Sequence, residues 1–317
     1  MSIVFITGGR GFIGRHVARA CAASGDTVAG LGHGAWSPPE AAAWGVGHWI
    51  NGDITPSNLA QLARAAGLPD VVIHLAGGSA VGPAIAQPRE DFFRTVASTV
   101  ELLEWLRQVV PQARLVVASS AAVYGAGHDG PIAEDAPSTP YSPYGFHKSM
   151  MEQLCRSYGA THGIRSSVAR LFSAYGPALR KQLLWDACLQ LHGGSATLAL
   201  GGSGHETRDW VHVEDIAAIL PALAQRATPD APVVNVGTGA GTPVRDIAQA
   251  LAAAWADAAG SAPATVSFSG RSRPGDPFSL VADTARLAAL GLACRRPVLP
   301  GLAQYVRWFR QSIGAAA

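Results

Sequence analysis

Three residues have the types and spacing for proton and hydride chemistry. Tyr144 and Lys148 stand four apart in Tyr144-Gly-Phe-His-Lys148, which on a helix puts both side chains on one face. Ser119-Ser120 closes the apolar run Leu115–Ala118, which reads as a strand buried on both faces. A tyrosine hydroxyl has a reference pKa of about 10 and must lose its proton near neutrality to act as a base. A shift of about three units requires about 4 kcal/mol. One ammonium at roughly 4 Å supplies about that much at an effective dielectric of about 20. Ser142-Pro143 gives the helix its start, with serine at the N-cap and proline in the first helical position, and the dipole of that N-terminus also favours the phenolate. Ser120 would donate to a substrate oxygen and orient it. An ordinary amphipathic helix with a surface lysine has the same Tyr–Lys spacing, so the pattern gains its meaning from what surrounds it.

The surroundings begin at the first strand. Ile3–Thr7 runs into Gly8-Gly9-Arg10-Gly11-Phe12-Ile13-Gly14 and then into a helical pattern. Gly8 permits the tight turn, Gly11 lets backbone approach a pyrophosphate, and Gly14 lets the helix pack close to the strand. Phe12 and Ile13 open that helix, whose free amides and dipole favour an anion. The loop predicts a bound dinucleotide. A second strand, Thr27–Leu31, ends in Gly32-His33-Gly34 with no carboxylate to take the ribose hydroxyls. An acidic side chain there would repel a 2′-phosphate, so its absence permits NADP as well as NAD. Arg10 and His33 are candidate phosphate contacts. The plainer reading makes them a solvated loop arginine and a turn residue.

Strands and helices alternate through the first half of the chain. Strands are predicted at Val71–Ala76, Leu115–Ser119 and Ser166–Leu171, with helices at Phe12–Ala23, Phe92–Val109 and Tyr144–Thr161. This alternation predicts an α/β fold: a Rossmann doubly wound parallel sheet with a smaller C-terminal substrate lobe. The dinucleotide-binding domain spans 1–172, with 206–240 returning to it through a helix at Val211–Ala224 and a strand at Val233–Val236. The substrate lobe takes 173–205 and 241–317, and the alanine-rich stretch Ile247–Ala259 reads as a surface helix. With 317 residues, 48% of them hydrophobic and 15% charged, the chain can bury a sizeable core. A net charge of +2 without a basic block gives no support to a nucleic-acid or membrane partner. Cys21, Cys155, Cys188 and Cys294 show no metal-binding or redox spacing. No metal is expected. Without a secretory signal pattern or an apolar stretch of membrane-spanning length, a cytoplasmic protein is expected.

Taken together, these segments resemble the extended short-chain dehydrogenase/reductases, the family that holds UDP-galactose 4-epimerase and the nucleotide-sugar dehydratases and reductases. The resemblance runs through TGGRGFIG at 7–14, GDI at 52–54, HLAGGSAVG at 74–82, SSAAVYG at 119–125 and YGFHK at 144–148. It continues through RLFSAYGP at 170–177, RDWVHVED at 208–215, NVGTG at 235–239 and RPGD at 273–276. It implies that Ser120, Tyr144 and Lys148 are catalytic. To the cofactor contacts already read at Gly8, Arg10, Gly11, Phe12, Ile13, Gly14 and His33 it adds Asp53, Ile54, Leu75, Ala76, Gly77, Tyr144 and Lys148. Ser79, Ser120, Phe172, Ser173, Arg208 and Arg273 are implied on the substrate, with the two arginines clamping a diphosphate, a task that suits a guanidinium fork. It also implies a homodimer formed through the helices near 92–109 and 144–160.

The chain departs from the family pattern at informative places. Ser173 replaces an asparagine, Ser79 a lysine, and Thr95-Val96 an Asn-Val pair. The acidic pair that follows the catalytic hydroxyl in the 4,6-dehydratases is Ala121-Ala122 here, and alanine cannot do acid–base work. The expected activity is therefore an epimerase of a nucleotide-diphosphate hexose, acting by transient oxidation at C4. The alternative is an NADPH-dependent reductase of 4-keto-sugar nucleotides. A third class, a non-enzymatic dinucleotide sensor, sits badly with Ser120, Tyr144 and Lys148 occurring together.

Overall fold

The computed structural model describes residues 1–271 and 277–314. Its strands are β1 (Ile3–Thr7), β2 (Thr27–Gly32), β3 (His48–Asn51), β4 (Val71–His74), β5 (Arg114–Ser120), β6 (Pro131–Ile132), β7 (Arg165–Leu171), β8 (Ser173–Tyr175), β9 (Thr197–Leu200), β10 (Thr207–His212), β11 (Val233–Val236), β12 (Gly241–Pro243), β13 (Thr265–Phe268) and β14 (Ser279–Ala282). Its α-helices are α1 (Phe12–Ala23), α2 (Pro38–Ala43), α3 (Pro56–Ala66), α4 (Val81–Ala86), α5 (Pro88–Phe92), α6 (Ser98–Val109), α7 (Pro143–His162), α8 (Gln182–His192), α9 (Val213–Leu223), α10 (Val244–Ala259), α11 (Ala285–Ala289) and α12 (Val298–Gly314). The chain divides into two compact units. One comprises Met1–Gly125, Glu134–Leu171 and Ile216–Val236; the other comprises Ala126–Ala133, Phe172–Asp215 and Gly237–Ala317.

In the first unit seven strands form one sheet in the order β11-β7-β5-β4-β1-β2-β3, and every pairing is parallel. This is the doubly wound sheet that the strand–helix alternation predicts. Its central strands β1, β4 and β5 carry apolar runs without alternation, as burial on both faces demands: Phe5, Ile6, Val72, Ile73, Leu115, Val116 and Val117 are all buried. Chain order reverses between β1 and β4, so the crevice at their carboxyl ends is where such a sheet takes a ligand. The second unit holds the sheet β12-β10-β14-β6, with β8 on β10, and a separate β9–β13 pair. No helix among the described residues is long and apolar enough to cross a membrane.

Several elements differ from the sequence expectation. The fourth strand stops at His74 rather than Ala76, because Leu75 and Ala76 turn their amides onto Thr7. The helix expected to start at Phe92 begins upstream at Pro88, and a π-helical stretch, Phe93–Ala97, joins α5 to α6. Val211 and His212 are strand, paired with Ala174 and Tyr175 of β8. The helix starts only at Val213, where Glu214 and Asp215 suit its positive end. The alanine-rich α10 buries Ile247, Ala248, Leu251, Ala252 and Ala256 along one face.

Candidate active site

The glycine turn after β1 is closed by backbone. Gly8 has φ +69°, and a Cβ there would stand 2.9 Å from Ala76 N. A Cβ on Gly14 would come within 2.3 Å of the Gly8 carbonyl. Any side chain at either place would push the turn, α1 and the loop after β4 apart. Gly11 caps α1 with no side-chain hydrogen bond, and no acidic residue stands in the helix's first turn, which Phe12 and Ile13 open. Open amides, a positive helix end and a cradle that excludes side chains fit a pyrophosphate.

At the end of β2 the structure adds a group that β2 itself lacks. Asp53 comes within 3.0 Å of His33 Nε2, and both side chains are exposed. A carboxylate from the loop after β3 thus stands at this corner. Arg10 stands there too, close enough that a Cβ on Gly34 would lie 2.5 Å from its Nη1. Ile54 is buried in the core.

His74 is fully enclosed and has both ring nitrogens engaged, Nδ1 with Thr7 Oγ1 at 2.7 Å and Nε2 with Thr99 Oγ1 at 3.1 Å. Burial, with the Lys148 charge adding, pushes its pKa down to about 3. The imidazole stays neutral in the folded state, while an unfolded chain protonates it below about 6.5. The unfolded state therefore binds the extra proton between about pH 6.5 and pH 3, and stability falls as pH is lowered through that window. The expected slope is up to about 1.4 kcal/mol per pH unit from this group. Urea midpoints at descending pH should show a component that His74→Gln removes; an identical pH dependence in the variant would refute the assignment.

Leu75 and Ala76 follow with their amides on Thr7. Gly77 has φ +137°, and a Cβ there would lie 3.4 Å from Lys148 Nζ. Gly78 N donates to Thr95 Oγ1 at 2.8 Å. Ser79 comes next and is exposed.

Helix α7 brings Tyr144 and Lys148 to this loop. Its N-cap Ser142 accepts from Gly145 N, and Pro143 sits in the first turn, as the sequence predicts. Gly145 lies so close to the turn after β5 that a Cβ would be 2.6 Å from the Ala122 carbonyl. That contact sets Tyr144 against Ser120. Burial raises the Tyr144 phenol above its ordinary pKa, the Ser120 hydroxyl bonded to it works in the opposite direction, and the Asp91 charge raises it further. Lys148 Nζ donates to the Ala118 carbonyl at 2.9 Å and stands 6.0 Å from the centre of the Tyr144 ring. With the net effect raising the phenol, the site as it stands holds Tyr144 protonated, and further positive charge beside it would favour the phenolate.

Beneath Ser120 lies a buried polar network that spacing alone does not reveal. Arg170 on β7 grips Glu152 of α7 with Nε and Nη2, at 2.9 and 2.7 Å. Ser119 donates to Glu152 Oε1 at 2.6 Å, and Arg170 Nη1 reaches the Glu134 carbonyl at 3.1 Å. Tyr124 donates to Asn235 Oδ1, and Asn235 N donates to Glu134 Oε1. The one signal in the sequence is that Glu152 continues the Tyr144–Lys148 face by another four residues, which places it on the side that packs inward.

The remaining candidates lie in the second unit. Phe172 is buried, and Ser173 pairs with Trp210 across β8 and β10. Arg208 donates to the carbonyls of Thr207 and Phe278. Arg273 lies outside the described residues. Within RDWVHVED, Asp209 is a fully buried acceptor for Thr238 N, Thr238 Oγ1, Gly239 N and Ala282 N. It holds the loop that follows β11, and Asp215 receives the amides of Arg295 and Arg296.

The family description "NAD dependent epimerase/dehydratase family" matches residues 4–237. The chain belongs to this family. Its members are nicotinamide-dependent epimerases and dehydratases, and the matched segment contains the glycine turn, Ser120, Tyr144 and Lys148. Among curated relatives, a UDP-glucose 4-epimerase of Azospirillum brasilense is 34% identical over 99% of this chain and 94% of its own. Among solved structures, MoeE5 in complex with UDP-glucose and NAD is 30% identical, with a TM-score of 0.84 over 98% of this chain and 99% of that one. A dTDP-glucose 4,6-dehydratase of Streptomyces venezuelae, the DesIV double mutant with NAD bound, is 27% identical, with a TM-score of 0.86 over 98% of both chains. The family thus joins epimerases and dehydratases on one fold.

Proposed function

We propose that this protein is a 4-epimerase of a nucleotide-diphosphate hexose, with a UDP-hexose as the first substrate to test. The observation that carries this reading is the meeting of Ser120, Tyr144 and Lys148 at a turn whose next two residues are buried alanines, Ala121 and Ala122. A site that eliminates water needs acid–base groups beside the reacting carbon, and alanines supply none. A nicotinamide dinucleotide held at the glycine turn would supply the hydride acceptor for oxidation and the donor for reduction. Tyr144 takes the O4 proton as C4 is oxidised and returns it as C4 is reduced. Ser120 donates to the same oxygen, and Lys148 holds positive charge beside the phenol. The keto sugar turns over between the two half-reactions, so hydride returns to its opposite face. Phe172, Ser173, Ser79, Arg208 and Arg273 are proposed to hold the sugar and the diphosphate.

The reaction is redox-neutral, which makes the test direct. Purified protein incubated with UDP-hexoses without added cofactor should form the C4 epimer, read by NMR. Consumption of a 4-keto-6-deoxy sugar nucleotide with stoichiometric NADPH oxidation, and no epimer, would replace this reading with the reductase. The second reading is kept because Arg10 stands at Gly34, where a 2′-phosphate would come. Arg10 and the Asp53 carboxylate stand at that corner with opposite effects on a 2′-phosphate, so titration of apo-protein should find NAD and NADP bound within about tenfold of each other. Arg10→Ala should weaken NADP by about tenfold or more and leave NAD unchanged. A hundredfold preference for NAD in the parent protein would make Arg10 a bystander.

A homodimer is proposed as well. Phe92, Phe93, Phe146 and Met150 are large apolar side chains with 38–50% exposure on the segments that the family resemblance marks as the interface. Sedimentation should give a dimer that Phe93→Glu with Phe146→Glu converts to a monomer; a monomeric parent protein would remove the proposal.

A further inference from the structure

His147 and Asp91 have no part in the chemistry just described, yet they lie buried beside it. His147 stands on α7 between Tyr144 and Lys148, and its Nδ1 is 2.6 Å from Asp91 Oδ2. The two side chains are 11% and 6% exposed. The other Asp91 oxygen rests on the loop after β4: a Cβ on Gly78 would fall 1.7 Å from Oδ1. One carboxylate therefore touches both the helix that carries Tyr144 and Lys148 and the loop that runs from Gly77, beside Lys148 Nζ, to Ser79. Gly78 is fixed on its other side by its hydrogen bond to Thr95 Oγ1. A buried carboxylate is costly to desolvate unless it is paired, and packing alone is met by an apolar side chain at each position. Phe92, next to Asp91, sets its ring edge-on to His147 at 5.6 Å.

We propose that Asp91 and His147 are a positioning pair that ties the loop 77–79 to helix α7 and so holds the Ser79 side of the site in register with Tyr144 and Lys148. This rests on the reading of Tyr144 as the acid–base group. The charged groups that face Tyr144 are Asp91 from α5 and Lys148 from its own helix, with the Ser120 hydroxyl from β5. Asp91 thus acts in two ways. It anchors the loop through geometry, and its negative charge opposes the phenolate.

The test uses the full-length protein and three variants. His147→Phe keeps the ring and deletes the donor. His147→Asn keeps an N–H donor for Asp91. Asp91→Asn keeps the shape and removes the charge. Amide exchange of residues 75–80, measured without substrate, reads the tie directly. His147→Phe should speed exchange at Gly78 and lower kcat, each by about tenfold or more, since a small misplacement of reacting groups is expensive in rate. His147→Asn should restore both to within about threefold. Asp91→Asn should move the acidic limb of the kcat/KM profile to lower pH, because a negative charge facing Tyr144 is gone. Unchanged exchange in His147→Phe, or an acidic limb that Asp91→Asn does not move, overturns the proposal. A parent protein that epimerises no nucleotide sugar, with exchange still accelerated in His147→Phe, overturns the epimerase reading and leaves the tie standing.

Discussion

Tyr144→Phe should lower kcat by about a hundredfold to ten-thousandfold, the range that general acid–base catalysis contributes. The fold and dinucleotide affinity should persist. The substitution removes one oxygen, whose protein partner in the site is Ser120, and leaves the ring packed beside Lys148. Because the loss falls on a proton transfer made only during the reaction, kcat and kcat/KM should drop together while KM changes little. The pH profile of the parent protein carries the same argument. Burial and Asp91 raise the phenol, and the Ser120 hydroxyl does not offset both. The phenolate should therefore form only in the loaded enzyme, where the oxidised nicotinamide adds positive charge. A difference titration of apo-protein should find no tyrosine ionising near neutrality. Activity of Tyr144→Phe within about tenfold of the parent would show that another group moves the proton.

Local physics explains which parts of this site are legible in the sequence. The glycine turn is legible because backbone fills the space where side chains would go: Gly8 faces Ala76 N, and Gly14 faces the Gly8 carbonyl. The Tyr144–Lys148 pair is legible because Ser142-Pro143 starts the helix and fixes its phase. The parallel sheet follows from apolar runs that do not alternate. The π-helical stretch at Phe93–Ala97 is not legible, since one extra residue in a turn barely disturbs a helical period. Nor is the strand character of Val211 and His212, which depends on pairing with β8, a contact that local propensity does not encode. The carboxylate at the end of β2 escapes for a similar reason. Asp53 belongs to the loop after β3 and meets His33 only in three dimensions. Buried charges are the hardest to read. Asp91, Glu152 and Arg170 look like surface residues in a one-dimensional pattern, and only their partners reveal that they are inside.

Breaking the Glu152–Arg170 pair should be the most damaging substitution for stability. The Glu152 side chain is 2% exposed and that of Arg170 5%. Burial disfavours the charged guanidinium, but the hydrogen bonds and charge of Glu152 outweigh it and hold Arg170 firmly protonated. Arg170→Ala removes both close contacts to Glu152 and leaves a buried carboxylate with Ser119 and the more distant Arg156, at 3.6 Å. Breaking a buried pair in this way costs up to about 3–5 kcal/mol, a large share of the roughly 5–15 kcal/mol that holds a typical domain folded. The urea midpoint should fall accordingly with little change in slope. A second variant separates a buried charge from lost packing. Glu152→Leu combined with Arg170→Met removes both charges and keeps apolar volume, and it should recover most of the loss, because a buried ion pair exchanged for apolar groups is often neutral. Arg170→Ala within about 1 kcal/mol of the parent would mean that water or a shifted side chain compensates Glu152. A double variant as unstable as Arg170→Ala would mean that the network acts through shape rather than charge. In the expected case Ser119, and with it the strand end that presents Ser120, depends on a charge pair buried beneath it, so Arg170→Ala should also lower kcat at temperatures where the protein is still folded.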